Sequence, residues 1–252
     1  MSTTSATSTT GVARINRTQA RVLASAEFDR FAALTASLTP TEWATATDCI
    51  GWDVRTMVLH VLGSADAQAS PLVFLHQLRR GLPLNKEIDS HHWVDGLNEL
   101  QIRERSQLTD EQVVAQLRAV GAKAVKGRFG TPLPMRYTPV PFGNPIGWKP
   151  VNYLLEVGFT RDVWAHRIDI HAVIGRPMNI DPVHDGRLVA DIVREWAELH
   201  GEPFDLHLTG AAGGTFSQGR GGEHVEMDAL GFIRTLSGRL PGAGVMRHPL
   251  PL

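Results

Sequence analysis

Apolar residues recur at the spacing of amphipathic helices over most of the chain up to residue 200. Thr109 starts a Thr-Asp-Glu-Gln capping box, and Gly175 and Pro177 end the helix before residue 180. Asp53 is a suitable N-cap for a helix that continues towards Arg80. The full pattern predicts helices over residues 13–38, 53–80, 89–106, 109–126, 158–175 and 183–200.

The pattern changes after Gly201. Residues 204–210 alternate between apolar and polar side chains, as a half-buried strand does. Two further short alternating segments flank the Gly-Arg-Gly-Gly sequence at 219–222, which predicts a hairpin, and Asp228 is expected to cap a final helix over 229–236. The sequence therefore predicts a mainly α protein, with a helical bundle at 13–180 and a small α/β domain at 181–252.

Two segments lack a regular pattern. Residues 1–12 are rich in Ser and Thr, lack the basic and apolar regions of a signal peptide, and are expected to form a disordered tail. Six of the 15 prolines fall within residues 127–150, which predicts a loop without regular elements. This loop either covers one side of a pocket or is a surface connector.

Composition narrows the class of protein. The 252 residues are 42% hydrophobic, which supports a substantial core. A net charge of −1 gives no electrostatic reason to expect nucleic acid or an anionic membrane as partner. The one cysteine, Cys49, excludes an intrachain disulfide and a multi-cysteine metal site, which fits a reducing cytoplasm, and no apolar run has the length of a membrane span.

The chemistry of the chain is concentrated on the helix at 158–175. Asp162 and His166 are four residues apart and share one face, which Asp169 continues. Buried charges are costly unless they are paired or bind a metal. A carboxylate and an imidazole at this spacing can hold a divalent cation if a third ligand comes from elsewhere, and His60 beside the apolar stripe of its helix is the candidate.

Structural alternatives remain open for these residues, and on the residue pattern alone they are favoured over a metal site. His60 is compatible with a core histidine whose hydrogen bonds are satisfied within the protein. Asp162 and His166 are compatible with a structural hydrogen-bonded pair, because their four-residue spacing arises often by chance. Arg161 and Arg167 are expected to form surface ion pairs.

Three segments carry a family resemblance: residues 51–61, 161–170 and 226–239. In their sequence and order, the chain resembles the mycothiol-dependent maleylpyruvate isomerase family within the DinB-like helical-bundle superfamily. The resemblance implies a DinB-like four-helix bundle followed by a sterol-carrier-protein-like α/β domain.

The resemblance also implies a set of site residues. The family's metal ligands fall on His60, Asp162 and His166, with Asp162 at a position where the isomerases proper carry Glu. The implied ligands are Zn²⁺, or another divalent metal, and mycothiol as thiol cosubstrate. We expect Arg239, at a helix end, to hold a carboxylate of substrate or thiol, unless it only complements the helix dipole. Asp169 and Trp52 are expected to support the ligands or contact the substrate.

The resulting hypothesis is a cytoplasmic enzyme, monomeric or homodimeric, in which the metal activates a small thiol for attack on a small electrophile, giving isomerisation or an S-conjugate. A hydrolase that uses metal-bound water, an Fe(II) oxygenase and a metal-free ligand-binding protein are the alternatives. The oxygenase ranks low because such triads usually lie on β-barrels.

Overall fold

The computed structural model describes residues 6–90 and 92–252. The helices are α1 (Arg17–Ala36), α2 (Pro40–Trp43), α3 (Val54–Ala69), α4 (Pro71–Gly81), α5 (Leu84–Glu87), α6 (Trp93–Arg103), α7 (Asp110–Gly130), α8 (Leu133–Arg136), α9 (Val151–Tyr153), α10 (Phe159–Ile174), α11 (His184–His200) and α12 (Ala229–Leu236). The strands are β1 (Thr7–Ser8), β2 (Pro139–Pro141), β3 (Trp148–Pro150), β4 (Phe204–Thr209), β5 (Gly214–Gln218) and β6 (Glu223–Asp228). The prediction of a mainly α fold with a small α/β part is confirmed.

Four long helices, α1, α3, α7 and α10, form the bundle. Their apolar stripes meet in one core that includes Phe31, Met57 and Leu62, all fully buried. Helix α1 begins at Arg17 because the preceding Asn16 forms a reciprocal capping box with Gln19. The bundle therefore depends on burial of amphipathic faces, with caps that fix where each helix starts.

The helix predicted from Asp53 towards Arg80 is in fact two helices, so this prediction is wrong. Ser70 has an extended backbone, with φ −140° and ψ 118°, and separates α3 from α4. A residue before proline avoids the helical conformation for steric reasons, and Pro71 follows directly. Ser70 also caps α4 through its hydroxyl, which accepts a hydrogen bond from the backbone N–H of Val73.

The prediction that residues 127–150 lack regular structure is also wrong. Helix α7 continues to Gly130, α8 follows, and β2 and β3 form a two-stranded antiparallel ribbon. Proline has no backbone N–H to donate. It is tolerated in such a ribbon because, in an edge strand, alternate backbone positions face away from the partner strand and need no N–H donor. The N–H of the Trp93 indole donates to the carbonyl of Pro141 at 3.1 Å, which ties the ribbon to α6.

The sheet has the strand order β1-β5-β4-β6. Strand β4 is antiparallel to β5 and parallel to β6. The hairpin predicted at 219–222 is therefore wrong, because β5 and β6 lie on opposite sides of β4. Period-two alternation identifies a strand but not its neighbour, so this pairing was not determined by the local pattern.

Asp228 caps α12 as predicted, accepting hydrogen bonds from the N–H groups of Leu230 and Gly231.

The predicted disordered tail at 1–12 is partly outside the described residues, since residues 1–5 are not described. Within the rest, Thr7–Ser8 pairs in parallel with β5, and Thr9–Gly11 forms a 3-10 turn with Thr9 buried. The disorder prediction is wrong there, because the backbone of the segment completes the sheet edge. Among the described residues, no helix is both long and apolar enough to cross a membrane.

Two buried arginines on α10 connect the bundle to α11, which corrects the expectation of surface ion pairs. Arg161 donates to Asp191 at 2.8 Å and to Glu195 at 2.6 Å. Arg167 donates to Glu27 of α1 and to Asp185 of α11, and the Arg167 side chain is only 3% exposed. Apolar residues of α1 and α10 also share a core with α11 and the sheet. The bundle and the C-terminal part thus share both apolar and ionic contacts.

Candidate metal centre

The three residues implied as metal ligands lie together where α3 crosses α10. The Nε2 atom of His60 is 3.5 Å from Oδ2 of Asp162, and Nε2 of His166 is 3.5 Å from Oδ1 of the same carboxylate. One ligand atom from each residue lies within 4.8 Å of the others. Both histidine side chains are 7% exposed and that of Asp162 is 27% exposed, so the cluster is sheltered but accessible from one side.

This arrangement fits a divalent cation. In a tetrahedral site with metal–ligand bonds of about 2.1 Å, neighbouring ligand atoms are about 3.4 Å apart. Here each imidazole lies 3.5 Å from a different carboxylate oxygen, and one atom of each residue lies within 4.8 Å of the others, so the cluster is close to the size of such a site. The two carboxylate oxygens face different imidazoles, so the shorter side chain of Asp162 already reaches both histidines. Two imidazoles and one carboxylate leave a fourth position open.

Electrostatics at Asp162 favour the charged form. Burial opposes ionisation of this carboxyl, but the nearby charges and hydrogen bonds of His166 and His60, with a contribution from Arg239, outweigh burial and lower its pKa to about 2. A carboxylate that is ionised at neutral pH beside two imidazoles is a donor set suited to Zn²⁺.

A chain of buried amides fixes the tautomer of His60. Gln77 donates through Nε2 to the carbonyl of Gly63 at 2.8 Å, which leaves Oε1 of Gln77 to accept from Nε2 of Gln101 at 2.8 Å. Oε1 of Gln101 then faces Nδ1 of His60 at 2.9 Å. Because a backbone carbonyl can only accept, every amide in the chain has one orientation, and Nδ1 of His60 must carry a proton. Nε2 is therefore the ring nitrogen that faces Asp162.

His166 is supported from its other side. Its Nδ1 lies 3.5 Å from Oδ2 of Asp169, at the limit of a hydrogen bond. Arg239 donates to the same oxygen at 3.0 Å through Nη2 and also contacts Sγ of Cys49 at 3.4 Å. Burial raises the pKa of the Cys49 thiol, although Arg239 opposes this. Asp169 and Trp52, the two residues expected to support the site, both lie beside it. Asp169 lies behind His166. The ring centroid of Trp52 is 5.3 Å from that of His60 and 6.2 Å from that of His166.

The helix that carries Asp162 begins with an irregular turn. Residues Leu154–Gly158 form a π-helical turn directly before α10, and such turns are frequent at functional sites. The guanidinium of Arg128 donates to the carbonyl of Leu155 at 2.9 Å and to Oγ1 of Thr160 at 2.7 Å. Burial lowers the pKa of Arg128 to about 9, while the charge of Asp162 opposes that shift. Arg128 therefore holds the turn in place just before Asp162.

A cavity of about 560 Å³ opens beside the cluster. His60 and Asp162 lie in its wall, together with Gln77, Gln101 and aromatic and aliphatic residues from α4, α6, the ribbon and the π turn. Arg239 is not among the described residues that line this cavity. The role predicted for Arg239, which is to hold a carboxylate of substrate or thiol, remains a prediction. In this structure the guanidinium of Arg239 contacts Asp169.

A second group of candidate ligands is Glu27, His184 and Asp185. These side chains are already satisfied by protein partners. Glu27 accepts from Arg167 at 2.6 Å and lies 2.8 Å from Nε2 of His184, and Asp185 accepts from the Trp164 indole at 2.7 Å. This cluster is a buried ion-pair network between α1, α10 and α11, and an added cation would have to displace Arg167.

The supporting residues Gln77, Gln101 and Arg128 were not predicted from the sequence. Each is a buried polar side chain on a helix. A polar residue within an apolar stripe is a usable signal for such a role, but the signal does not identify the partner.

The sequence profile of the mycothiol maleylpyruvate isomerase N-terminal domain matches residues 24–171. Among curated proteins, none matches the chain in sequence. Two solved structures resemble it: a mycothiol-dependent maleylpyruvate isomerase, with TM-score 0.55 and 18% identity over 93% of this chain and 92% of that one, and a histidine-to-alanine mutant of a mycothiol-dependent maleylpyruvate isomerase, with TM-score 0.56 and 17% identity over the same shares. At this identity the structures show a shared fold, whereas the profile covers more than half of the chain. The chain therefore belongs to the mycothiol maleylpyruvate isomerase family, a family of enzymes.

Proposed function

We propose that the protein is a metal-dependent enzyme that activates a low-molecular-weight thiol of the mycothiol type for addition to a small electrophile. The observation that carries the proposal is the convergence of His60, Asp162 and His166, with His60 and Asp162 in the wall of a cavity. Family membership supports the thiol. Within the proposal, residues 13–180 supply the metal-binding bundle and residues 181–252 the smaller α/β part.

The proposed ligands of Zn²⁺, or of another divalent metal, are His60, Asp162 and His166. When bound, such a cation lowers the pKa of a coordinated thiol and favours the thiolate, which is the nucleophilic form. Asp162 contributes negative charge at neutral pH because its pKa is lowered to about 2 by the two histidines despite burial. The two imidazoles contribute neutral donors, so the set carries one negative charge.

Gln101 and Asp169 contact the two histidine ligands at Nδ1, the ring nitrogen that faces away from Asp162. Gln101 keeps a proton on Nδ1 of His60 and leaves Nε2 free to bind. Asp169 faces Nδ1 of His166 at 3.5 Å, and Nε2 of His166 is the atom turned towards Asp162. Arg239 neutralises Asp169 and keeps this buried carboxylate ionised. Each histidine thus turns Nε2 towards the position of the metal, and a proton shared with Asp162 would be released on binding.

The cavity provides the place for the electrophile. Its mostly apolar lining leaves the activated thiol few competing polar partners there. Addition followed by elimination of the thiol gives isomerisation, and addition without elimination gives a lasting S-conjugate. Both outcomes use the same first step, and the geometry of the site is common to them.

The proposal is tested by metal content and thiol dependence together. We expect the purified protein to hold one divalent metal per chain by elemental analysis, and the His60→Ala variant to lose it while keeping its helical circular dichroism. His76→Ala is the matched control, because His76 is an exposed helical histidine whose ring contacts Glu104. Turnover of an electrophile should require added thiol. Full metal content in His60→Ala, or equal turnover without thiol, would contradict the proposal, and the second result would favour hydrolysis by metal-bound water.

A further inference from the structure

Asn98 of α6 is a polar side chain in the cavity wall that the metal centre does not use. It lines the cavity together with His60 and Asp162. The residue is half-buried, and its side chain makes no hydrogen bond with any described residue. A side-chain amide has two N–H donors and one carbonyl acceptor, and polar groups in such positions are satisfied by protein, water or ligand. The hydrogen-bonding capacity of Asn98 is therefore left for a molecule in the cavity.

The neighbouring amides in this wall are already engaged. Gln77 and Gln101 are bonded to each other, and Gln101 is bonded to His60. Asn98 lies three residues before Gln101, so both side chains are on one face of α6. Helix α6 approaches α3 closely at this level, since a Cβ atom added to Gly63 would lie 2.5 Å from Cβ of Gln101. One contact, between Gln101 and His60, thus connects the helical turn of Asn98 to the metal ligands.

The chemistry of Asn98 indicates the kind of group that it binds. An amide forms a reciprocal pair with a second amide, because each donates an N–H and accepts through its carbonyl oxygen. Leu97 and Trp93, on the same helix, also line the cavity and offer apolar surface to the carbon atoms of a ligand. Hydrogen bonds are electrostatically stronger in such surroundings than in water. A small molecule with a secondary amide therefore fits this part of the wall.

We propose that Asn98 binds an amide group of the thiol whose sulfur takes the open position on the metal. This inference rests on the proposed function for the metal-bound sulfur, and on Asn98 for the amide. The ligand class is a low-molecular-weight thiol that carries a secondary amide a few atoms from its sulfur. The thiol proton is released when the sulfur binds as thiolate. The amide pair then fixes the direction of the thiol in the cavity.

Two thiols of equal chain length test the inference on the cobalt-loaded protein. N-acetylcysteamine carries a secondary amide, whereas pentane-1-thiol has only carbon atoms after its sulfur. The sulfur-to-cobalt charge-transfer absorption gives the Kd of each thiol by titration. In Asn98→Ala we expect N-acetylcysteamine to lose about tenfold in affinity relative to pentane-1-thiol, because one or two net hydrogen bonds are removed. The same ratio of the two Kd values in Asn98→Ala and wild type would overturn the inference.

Two further variants separate the amide from other effects of the substitution. Asn98→Leu keeps about the volume of the side chain and should give the same relative loss as Asn98→Ala. Asn152→Ala is the matched control, because Asn152 is also half-buried and makes no hydrogen bond with a described residue through its side chain, but does not line the cavity. It should keep the wild-type ratio. An equal relative loss in Asn152→Ala would also overturn the inference.

The absorption band distinguishes failure of the inference from failure of the proposed function. If neither thiol produces the band in wild type, the metal does not take a thiol, and the proposed function fails together with the inference. If both thiols produce the band and their relative affinity is independent of Asn98, the proposed function stands and the inference alone fails.

Discussion

Oε1 of Gln101 lies 2.9 Å from Nδ1 of His60, and this contact determines which nitrogen of the imidazole faces Asp162. The orientation of the Gln101 amide depends in turn on Gln77 and on the carbonyl of Gly63. A main-chain carbonyl of α3 thus controls, through two side chains, the protonation of a ligand on the same helix. This relationship makes the amide chain as relevant to metal binding as the ligands themselves.

The Gln101→Leu variant should bind zinc about 10- to 100-fold more weakly than wild type. Leu cannot accept the proton of Nδ1, so the imidazole can rotate or adopt the other tautomer, in which Nε2 carries the proton. Affinity is measured by competition with a chromophoric zinc chelator. Gln107→Leu, at an exposed position just beyond α6, is the control and should bind as wild type does. Unaltered affinity in Gln101→Leu would show that the contact does not orient His60.

The Asp162→Glu variant should retain zinc, and Asp162→Asn should lose it. Both carboxylate oxygens of Asp162 face an imidazole at 3.5 Å, so one added methylene changes the approach but keeps the charge. For Asp162→Glu we expect affinity within about tenfold of wild type. For Asp162→Asn we expect a loss of more than about 100-fold, since removal of the groups behind a ligand alone costs about 10- to 100-fold.

The same chelator competition separates these outcomes. Asn has nearly the size of Asp, so Asp162→Asn isolates the effect of charge. If Asp162→Asn binds zinc as tightly as wild type does, Asp162 is not a ligand and its carboxylate has a structural role.

Arg239 and Asp169 should be strongly coupled in stability. The guanidinium donates to Oδ2 of Asp169 at 3.0 Å, and the Asp169 side chain is only 2% exposed. Arg239→Met leaves this carboxylate buried without a cation and should lower the free energy of unfolding by about 3 kcal/mol. The double variant Arg239→Met/Asp169→Asn should recover part of this loss, because it removes both charges. Urea unfolding of the four proteins gives the coupling energy.

This double-mutant cycle also tests the expectation that Arg239 holds a substrate carboxylate. A residue whose role is only to bind substrate would show a coupling energy within about 0.5 kcal/mol of zero and a raised KM for an acidic substrate. Strong coupling together with an unchanged KM would instead assign Arg239 to the support of Asp169 and His166.

The parts of the site that lie on one helix were predictable from the sequence, and those that depend on packing were not. Asp162 and His166 share a face because of the helical repeat, which is local information. His60 was a candidate from its place beside the apolar stripe of its helix, and the family resemblance implied the same residue, but the crossing of α3 and α10 that brings it to Asp162 is a tertiary feature. Gln77 and Gln101 look like ordinary helical polar residues until their burial and partners are known. The π turn before Asp162 has no sequence signal that distinguishes it from a regular helix start.

The fold shows the same division. Caps at Thr109 and Asp228 were predicted because a side chain and a nearby N–H are close in sequence. The hairpin at 219–222 was mispredicted because strand neighbours are selected by the whole sheet, and here β4 lies between β5 and β6. The continuous helix towards Arg80 was mispredicted because the apolar repeat outweighed Pro71, whose steric effect on Ser70 ends α3.

Stability in mild acid should depend on His200, at the end of α11. Nδ1 of His200 accepts a hydrogen bond from the backbone N–H of Glu202 at 3.0 Å, and its ring stacks on that of His248 at 4.9 Å between centroids. Burial, with the charge of His248, lowers the pKa of His200 to about 4. A proton on Nδ1 would also face the donor of Glu202, so the charged form is disfavoured in the folded state.

The sign of the effect follows from proton linkage. Above the pKa of an unfolded histidine, about 6.5, the ring is neutral in both states and contributes nothing to the pH dependence. Between about pH 6.5 and the folded pKa of about 4, the unfolded chain binds a proton that the folded chain does not, so stability falls as the pH falls. The loss levels off below about pH 4. We expect His200→Gln, which cannot titrate, to reduce the difference in unfolding free energy between pH 7.5 and pH 4.5, measured by urea unfolding of variant and wild type in parallel. An identical decline in both proteins would show that His200 is protonated in the folded state as readily as in the unfolded chain.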